Sequence, residues 1–335
     1  MKIAVDAMGG DHPPKVVVQG AVEAAFELGI DIILVGRKEI ILKAIGYRSL
    51  PEHIEVHHCE EVVQMHESPL KAVRKKKDAS IRVSFDLEKR GDVDGVVSAG
   101  NSGAILAAAL LTVGRLDGVY RPAIAGILPG KMGPVVLIDV GANVDCRPGH
   151  LFQFGIMACA FACSCLDMEN PRVGLLSIGE EGSKGNEQVR LAHELFEGSP
   201  INFIGNVEGR DIFAGDVEII VCDGFVGNVA LKLSEGMGEA MNRLIKRQLM
   251  SSFFGRLALL FGRRSFQRYK KILDYEEYGG APLLGVNGVG IVCHGGSSAR
   301  AIKNAIELTA LYIKNRVLEK MALQLKDLRA EKTFP

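Results

Sequence analysis

The sequence contains no Cys-x-x-Cys pair, and its seven cysteines are an odd number. That argues against a disulfide framework and suits a reducing cytosol. No secretory leader is expected, because Met1-Lys2 runs directly into the apolar Ile3-Ala4-Val5 and then Asp6. The longest apolar stretch, Gly155 to Leu166, is too short to cross a bilayer. A soluble or peripherally attached protein is expected. The formal net charge is zero and aromatic interleaving of basic residues is sparse, which disfavours nucleic acid as a partner. Nucleotide signatures are also missing. Gly179 to Lys184 has the composition of a P-loop without its spacing, and nothing near Asp6 gives GxGxxG. No cofactor and no metal is expected. No repeat, low-complexity tract or linker divides the 335 residues, so one large α/β unit or two lobes fit the length.

The charge that is present is segregated. Met241 to Leu273 holds nine basic residues and no acidic ones, leaving 31 basic against 40 acidic residues elsewhere. Arg247, Arg263 and Arg264 belong to this stretch, as do Phe253, Phe254, Leu257, Leu260 and Phe261. A basic-apolar helical arm over 238–275 is expected, able to meet an anionic bilayer, an acidic carrier protein or a second copy of the chain. Arg74-Lys75-Lys76-Lys77 forms a second basic cluster.

Elsewhere strands and helices alternate. Buried-type strands are predicted at 3–5, 32–35, 54–56, 95–97, 135–138, 173–176, 218–221 and 290–292. Helices are predicted from Pro13-Pro14 to Leu28 with Asp11 as cap, from Ser68-Pro69 to about Lys89 with Ser68 as cap, and near 102–113, 149–166, 185–196, 227–250, 263–276 and 297–318. Leu323 to Pro335 is polar and expected to fray. The alternation predicts a mainly parallel sheet covered by helices.

Six strand ends share a vocabulary of Gly, Asn, Ser and Asp. They are Asp6-Ala-Met-Gly9-Gly10-Asp-His12, Ser98-Ala-Gly-Asn101-Ser102-Gly, Asp139-Val-Gly-Ala-Asn143, Ser177-Ile-Gly-Glu-Glu-Gly-Ser-Lys184-Gly-Asn, Cys222-Asp223-Gly-Phe-Val-Gly-Asn228 and Cys293-His294-Gly295-Gly296-Ser297-Ser. Ligands of open α/β sheets bind beyond strand carboxyl ends, and glycine turns leading into helices offer N–H groups to an anion. A wall of donors around a small oxyanion is therefore expected. Lys184, in a glycine turn, is the leading anion ligand. Asn228 and Asn101 can donate to a carbonyl or phosphate oxygen, or cap helices. Asp6, Asp139 and Asp223 can orient other groups or tie down loop N–H groups. His12 and His294 are possible acids. Cys159, Cys163 and Cys165 fit a helix core better than a zinc site, and neither Cys146 nor Cys293 has a nucleophile's context.

In combination these loops, with Ser68-Pro-Leu-Lys-Ala-Val-Arg-Lys-Lys-Lys, resemble the bacterial phosphate acyltransferase family of phospholipid synthesis. The resemblance spans nearly the whole chain. It implies a three-layer fold similar to isopropylmalate dehydrogenases and phosphotransacetylases, as a single catalytic unit over 1–335 with two lobes around a cleft. It implies transfer of a long-chain acyl group from acyl carrier protein to inorganic phosphate. The acyl phosphate would feed a membrane glycerol-3-phosphate acyltransferase. A cytoplasmic homodimer, peripherally bound to the inner face of the membrane, is the implied setting. Phosphate is largely dianionic near neutral pH and a thiolate leaves readily, so positioning and oxyanion stabilisation are the main demands. Lys184 and Asn228 are the expected catalytic pair. Substrate binding is assigned to Asp6, Gly9, Gly10, His12, Asn101, Ser102, Asp139, Asn143, Asp223, His294, Gly295, Gly296 and Ser297. Rival functions are a phosphotransacetylase acting on coenzyme A thioesters, a metal- and NAD-dependent decarboxylating dehydrogenase of similar fold, and a non-catalytic membrane-docking scaffold.

Overall fold

A computed structural model describes residues 1–46, 50–254, 262 and 275–330. The N-terminal half builds β1 (Lys2–Asp6), α1 (Lys15–Leu28), β2 (Asp31–Gly36), α2 (Lys38–Ile45), β3 (Ile54–His58), α3 (Pro69–Lys75), α4 (Ser80–Arg90), β4 (Gly95–Ser98) and α5 (Ser102–Thr112). Then come β5 (Ala123–Gly130), β6 (Gly133–Ile138), α6 (Pro148–Cys165), β7 (Val173–Leu176), α7 (Glu187–Glu197), β8 (Phe203–Val207), β9 (Ile219–Val221) and α8 (Gly224–Met250). The chain ends with β10 (Ala281–Leu284), β11 (Gly290–Val292), α9 (Ala299–Lys314) and α10 (Val317–Ala330).

The strands form one sheet in the order β3-β2-β1-β4-β11-β10-β5-β6-β9-β7-β8. Pairing is parallel except for β10 with β11, β10 with β5, and β5 with β6. Those three antiparallel contacts reverse the strand sense across the middle. β1 to β4, β11 and β5 run one way; β6 to β10 run the other. Mixed α/β architecture with helices on the sheet is therefore as expected, but the six glycine loops do not share one rim. They leave the two half-sheets in opposite senses.

Helix α6 is the hub of the larger core. Phe152, Phe154 and Phe161 are fully buried there, each contributing roughly 1.5–3 kcal/mol by leaving water. Long and apolar enough to cross a membrane, α6 is mostly buried against α7, α10, β6 and β9. Helices α1 and α9 touch so closely that a Cβ on Gly20 would stand 2.3 Å from the Ala299 carbonyl oxygen. Only glycine allows that approach.

Several local expectations change. Helix α1 starts at Lys15 with no side-chain cap, because the Asp11 backbone N–H is bonded to the Gly295 carbonyl and its carboxylate lies beside Gly295. Ser68 makes no cap bond either. The helix predicted over 68–89 breaks at residues 76–79, where Lys76 turns inward to Glu67 and the Val62 carbonyl. The stretch near 297–318 is two helices, and Leu323 continues into α10, where Met321 and Leu325 are buried. Within 238–275, residues up to Met250 are an uninterrupted extension of α8.

Candidate active site

A cavity of about 410 Å³ lies across the sheet between the two half-sheets. Ile124, Gly126 and Ile127 of β5, with Ala281 of β10, contribute an apolar floor. Loops from opposite directions supply the polar walls. Asn101 and Ser102 come from β4–α5, His294 and Ser297 from β11–α9, Gly141 from the loop after β6 and Asn228 from the start of α8. Five predicted site residues thus meet at one cavity: Asn101, Ser102, Asn228, His294 and Ser297.

Each is positioned by local chemistry. Asn101 caps α5, its Oδ1 accepting from the Ala104 N–H at 3.1 Å, while its Nδ2 donates to the Met65 carbonyl at 2.8 Å. His294 Nδ1 accepts from the Gly296 N–H at 3.1 Å, which leaves Nε2 as the protonated nitrogen of the neutral ring. The Ser297 N–H donates to the His294 carbonyl at 3.0 Å. Asn228 lies in the first turn of α8, against Gly141. Its side-chain amide makes no hydrogen bond among the described residues and is exposed. The start of α8 reaches the cavity because Gly227 lacks a Cβ, which would otherwise fall 1.9 Å from the Asp139 carbonyl oxygen.

The predicted aspartates stand behind the cavity as loop anchors. Asp6 is buried; its Oδ2 accepts from the Ser98 hydroxyl at 2.7 Å and its Oδ1 from the Met8 N–H. Burial raises its pKa, against the opposing hydrogen bonds. Asp139 Oδ1 accepts from the N–H groups of Ile124, Gly141 and Ala142. Burial raises its pKa as well. Asn143 donates to the Pro122 carbonyl at 2.7 Å and to Asp139. Asp223 caps α8 through the N–H groups of Phe225 and Val226. Gly9 packs on Gly100, while Gly10 has φ +103° and abuts the Gly295 carbonyl. Gly295 and Gly296 shape the His294 turn. His12 is exposed beside α1 and is not part of the cavity wall.

Lys184 is exposed, and its side chain lies back along Gly179. It is not part of the cavity wall. The wall includes residues that sequence patterning missed: Met65, Leu231, Lys232 and Glu235. Lys232 follows Asn228 by four positions, the helical spacing that could have found it. Burial pushes the Cys293 thiol, also in the wall, up to about 12, and the Cys146 thiol likewise, which removes the thiolate character of a nucleophile.

Of the arm, Arg247, Phe253 and Phe254 are exposed, the two rings 5.9 Å apart. Leu257, Leu260, Phe261, Arg263 and Arg264 lie outside the described residues. Val229, Leu233, Met237, Met241 and Leu244 form an exposed apolar stripe along α8.

A family described as "Fatty acid synthesis protein" matches residues 1–320. A protein named phosphate acyltransferase from Nitratidesulfovibrio vulgaris (strain DP4) is 52% identical over 321 residues, covering 95% of this chain and 93% of the relative. The namesake from Citrifermentans bemidjiense is 52% identical over 328 residues, covering 98% and 93%. The chain belongs to the phosphate acyltransferase family. A member of that family is an enzyme, and the cavity between the half-sheets is the candidate place for its chemistry. The fold of this phosphate acyltransferase family member is shared more widely. A phosphotransacetylase from Streptococcus pyogenes superposes with a TM-score of 0.64 at 21% identity, covering 94% of each chain. A 4-hydroxythreonine-4-phosphate dehydrogenase from Klebsiella pneumoniae gives 0.52 at 13%, covering 93% and 97%.

Proposed function

We propose that the enzyme moves a long-chain acyl group from an acyl-carrier-protein thioester to inorganic phosphate, releasing acyl phosphate and the carrier thiol. Family membership supports phosphate as acceptor. The observation that carries the site assignment is the convergence of Asn101, Ser102, Asn228, His294 and Ser297 over an apolar floor. Polar donors suit phosphate and the thioester oxygen; the floor suits the start of an alkyl chain.

Phosphate oxygen attacks the thioester carbonyl carbon. The carbonyl π pair moves to oxygen, giving a tetrahedral oxyanion. That oxyanion collapses and expels the thiolate, which then takes up a proton. The Asn228 amide, which bonds none of the described residues, can donate to the oxyanion, and the His294 Nε2–H can hydrogen-bond the departing thiolate, which then takes its proton from solvent. Lys184 remains in this scheme on its glycine-turn context; the 177–186 loop must fold over the cavity for its ammonium to take part.

The exposed stripe on α8, with Phe253 and Phe254, supports a homodimer and a peripheral hold on anionic membrane at the cytoplasmic face. Such placement would hand acyl phosphate directly to a membrane acyltransferase. The test is incubation with acyl-carrier thioester, with and without phosphate, and mass spectrometry for acyl phosphate. Phosphate-dependent product is expected. Product from coenzyme A thioesters alone would instead mark a phosphotransacetylase, and no product from either would refute acyl transfer.

A further inference from the structure

The acyl-transfer scheme leaves one charged pair in the cavity wall without a role. The ionisable side chains of that wall are Lys232, Glu235, His294 and Cys293. Cys293 stays a thiol, and a histidine is not a permanent cation. Among the described residues lining the cavity, Lys232 is therefore the single permanent cation. A phosphate dianion entering there meets no other fixed positive charge.

We propose that Lys232 is the residue that binds and positions phosphate in the cavity, with Glu235 holding its ammonium in place. This rests on the acyl-transfer reading for its substrate. Helix α8 sets Lys232 one turn beyond Asn228, on the same face, so the two side chains reach the same space. The Lys232 Nζ donates to Glu235 Oε2 at 2.7 Å. An ammonium has three donors, so two remain for phosphate oxygens. The exposures match this division of labour: the Glu235 side chain is 15% exposed and the Lys232 side chain 50%. The carboxylate is held within the fold while the ammonium stays open to a ligand.

The electrostatics also need the lysine. Glu235 alone would present a negative charge to an incoming anion. Paired with Lys232 it presents a near-neutral local field with the positive end outward. A charge-assisted N–H···O bond from that end is about twice as strong as one from a neutral amide such as Asn228. Lys232 then fixes the nucleophile, and Asn228, one turn closer to the Gly141 loop, is left for the thioester oxygen.

The test uses the full chain and measures two things independently. The first is direct binding of inorganic phosphate by titration calorimetry. The second is the KM for phosphate and for acyl-carrier thioester in the acyl phosphate assay. In Lys232→Met, phosphate binding should weaken and the phosphate KM rise by about tenfold or more. The thioester KM should stay within about twofold and the melting temperature should not move. Lys232→Arg keeps the charge and should recover most of the loss. Phosphate affinity in Lys232→Met within about twofold of the parent would overturn the proposal. So would a parallel rise in both KM values with a lowered melting temperature, the signature of a merely structural ion pair. A parent enzyme that binds phosphate through Lys232 but forms no acyl phosphate would sink the acyl-transfer reading and leave this site standing.

Discussion

Asp139 and Asn143 are bonded to each other twice: the Asp139 Oδ2 accepts from the Asn143 backbone N–H at 2.6 Å and from its Nδ2 at 3.0 Å. With the three N–H groups on Oδ1, this carboxylate organises the whole turn after β6. Asp139→Ala should cost roughly 3 kcal/mol or more, because several buried donors lose their acceptor at once. Asn143→Ala should cost about 1–3 kcal/mol through the unpaired Pro122 carbonyl and Asp139. Urea unfolding midpoints measure both. A large loss of turnover in Asn143→Ala at an unchanged midpoint would return Asn143 to substrate binding.

Asn228 is the opposite case. Its amide bonds none of the described residues, so Asn228→Ala should leave the melting temperature unchanged. If it stabilises the oxyanion, kcat should fall by about 10²–10³. Turnover near that of the parent would remove Asn228 from the mechanism.

Glu88 gives the protein a pH dependence away from the cavity. Its Oε1 accepts from the Val289 N–H, while Oε2 is sealed from solvent with no hydrogen-bond partner among the described residues and sits against Gly288. Burial pushes its pKa from the ordinary 4.5 up to about 8. Between those values the folded chain holds a proton that the unfolded chain has released, so stability falls as pH rises through the window. Glu88→Gln removes the titration and keeps the acceptor. Relative to the parent it should gain stability from pH 5 to pH 9, by an amount of order 1–4 kcal/mol. Parallel stability–pH curves for the two proteins would show that Glu88 is ionised when folded.

Phe253 and Phe254 are 70% and 81% exposed. Replacing both with glutamate adds charge that anionic lipid repels and removes the aromatic surface that would insert. Co-sedimentation with liposomes containing anionic lipid should drop at least fivefold, by about 1 kcal/mol or more. Soluble turnover should be unaffected, since neither ring is part of the cavity wall. Unchanged co-sedimentation would refute the membrane role of this segment.

Much of the fold was legible because strongly buried strands such as Ile32 to Val35 and Val135 to Ile138 advertise themselves, and glycine marks helix ends such as Gly29. The central strands were not. β5 carries Gly126, Pro129 and Gly130, residues that argue against a strand, and β10 has only four residues including Pro282. Without β5 and β10 the reversal of strand sense is invisible, and six loops look as though they share a rim. The loop motifs did mark the cavity, through Asn101, Ser102, Asn228, His294 and Ser297. Composition could not separate Asn228, whose amide faces the cavity, from Asn101, Asp139, Asn143 and Asp223, whose side chains bond backbone N–H groups or carbonyls. It also passed over Lys232, which sits mid-helix outside any glycine motif.

The order of strands has a consequence for how the chain is made. β10 and β11, which follow every other strand in chain order, stand in the middle of the sheet between β4 and β5. Until residue 292 has left the ribosome, β4 and β5 each keep a bare edge able to pair with a neighbouring chain. Truncated or slowly translated products should therefore be prone to aggregation, and the two halves can be welded together only after β10 and β11 have been made.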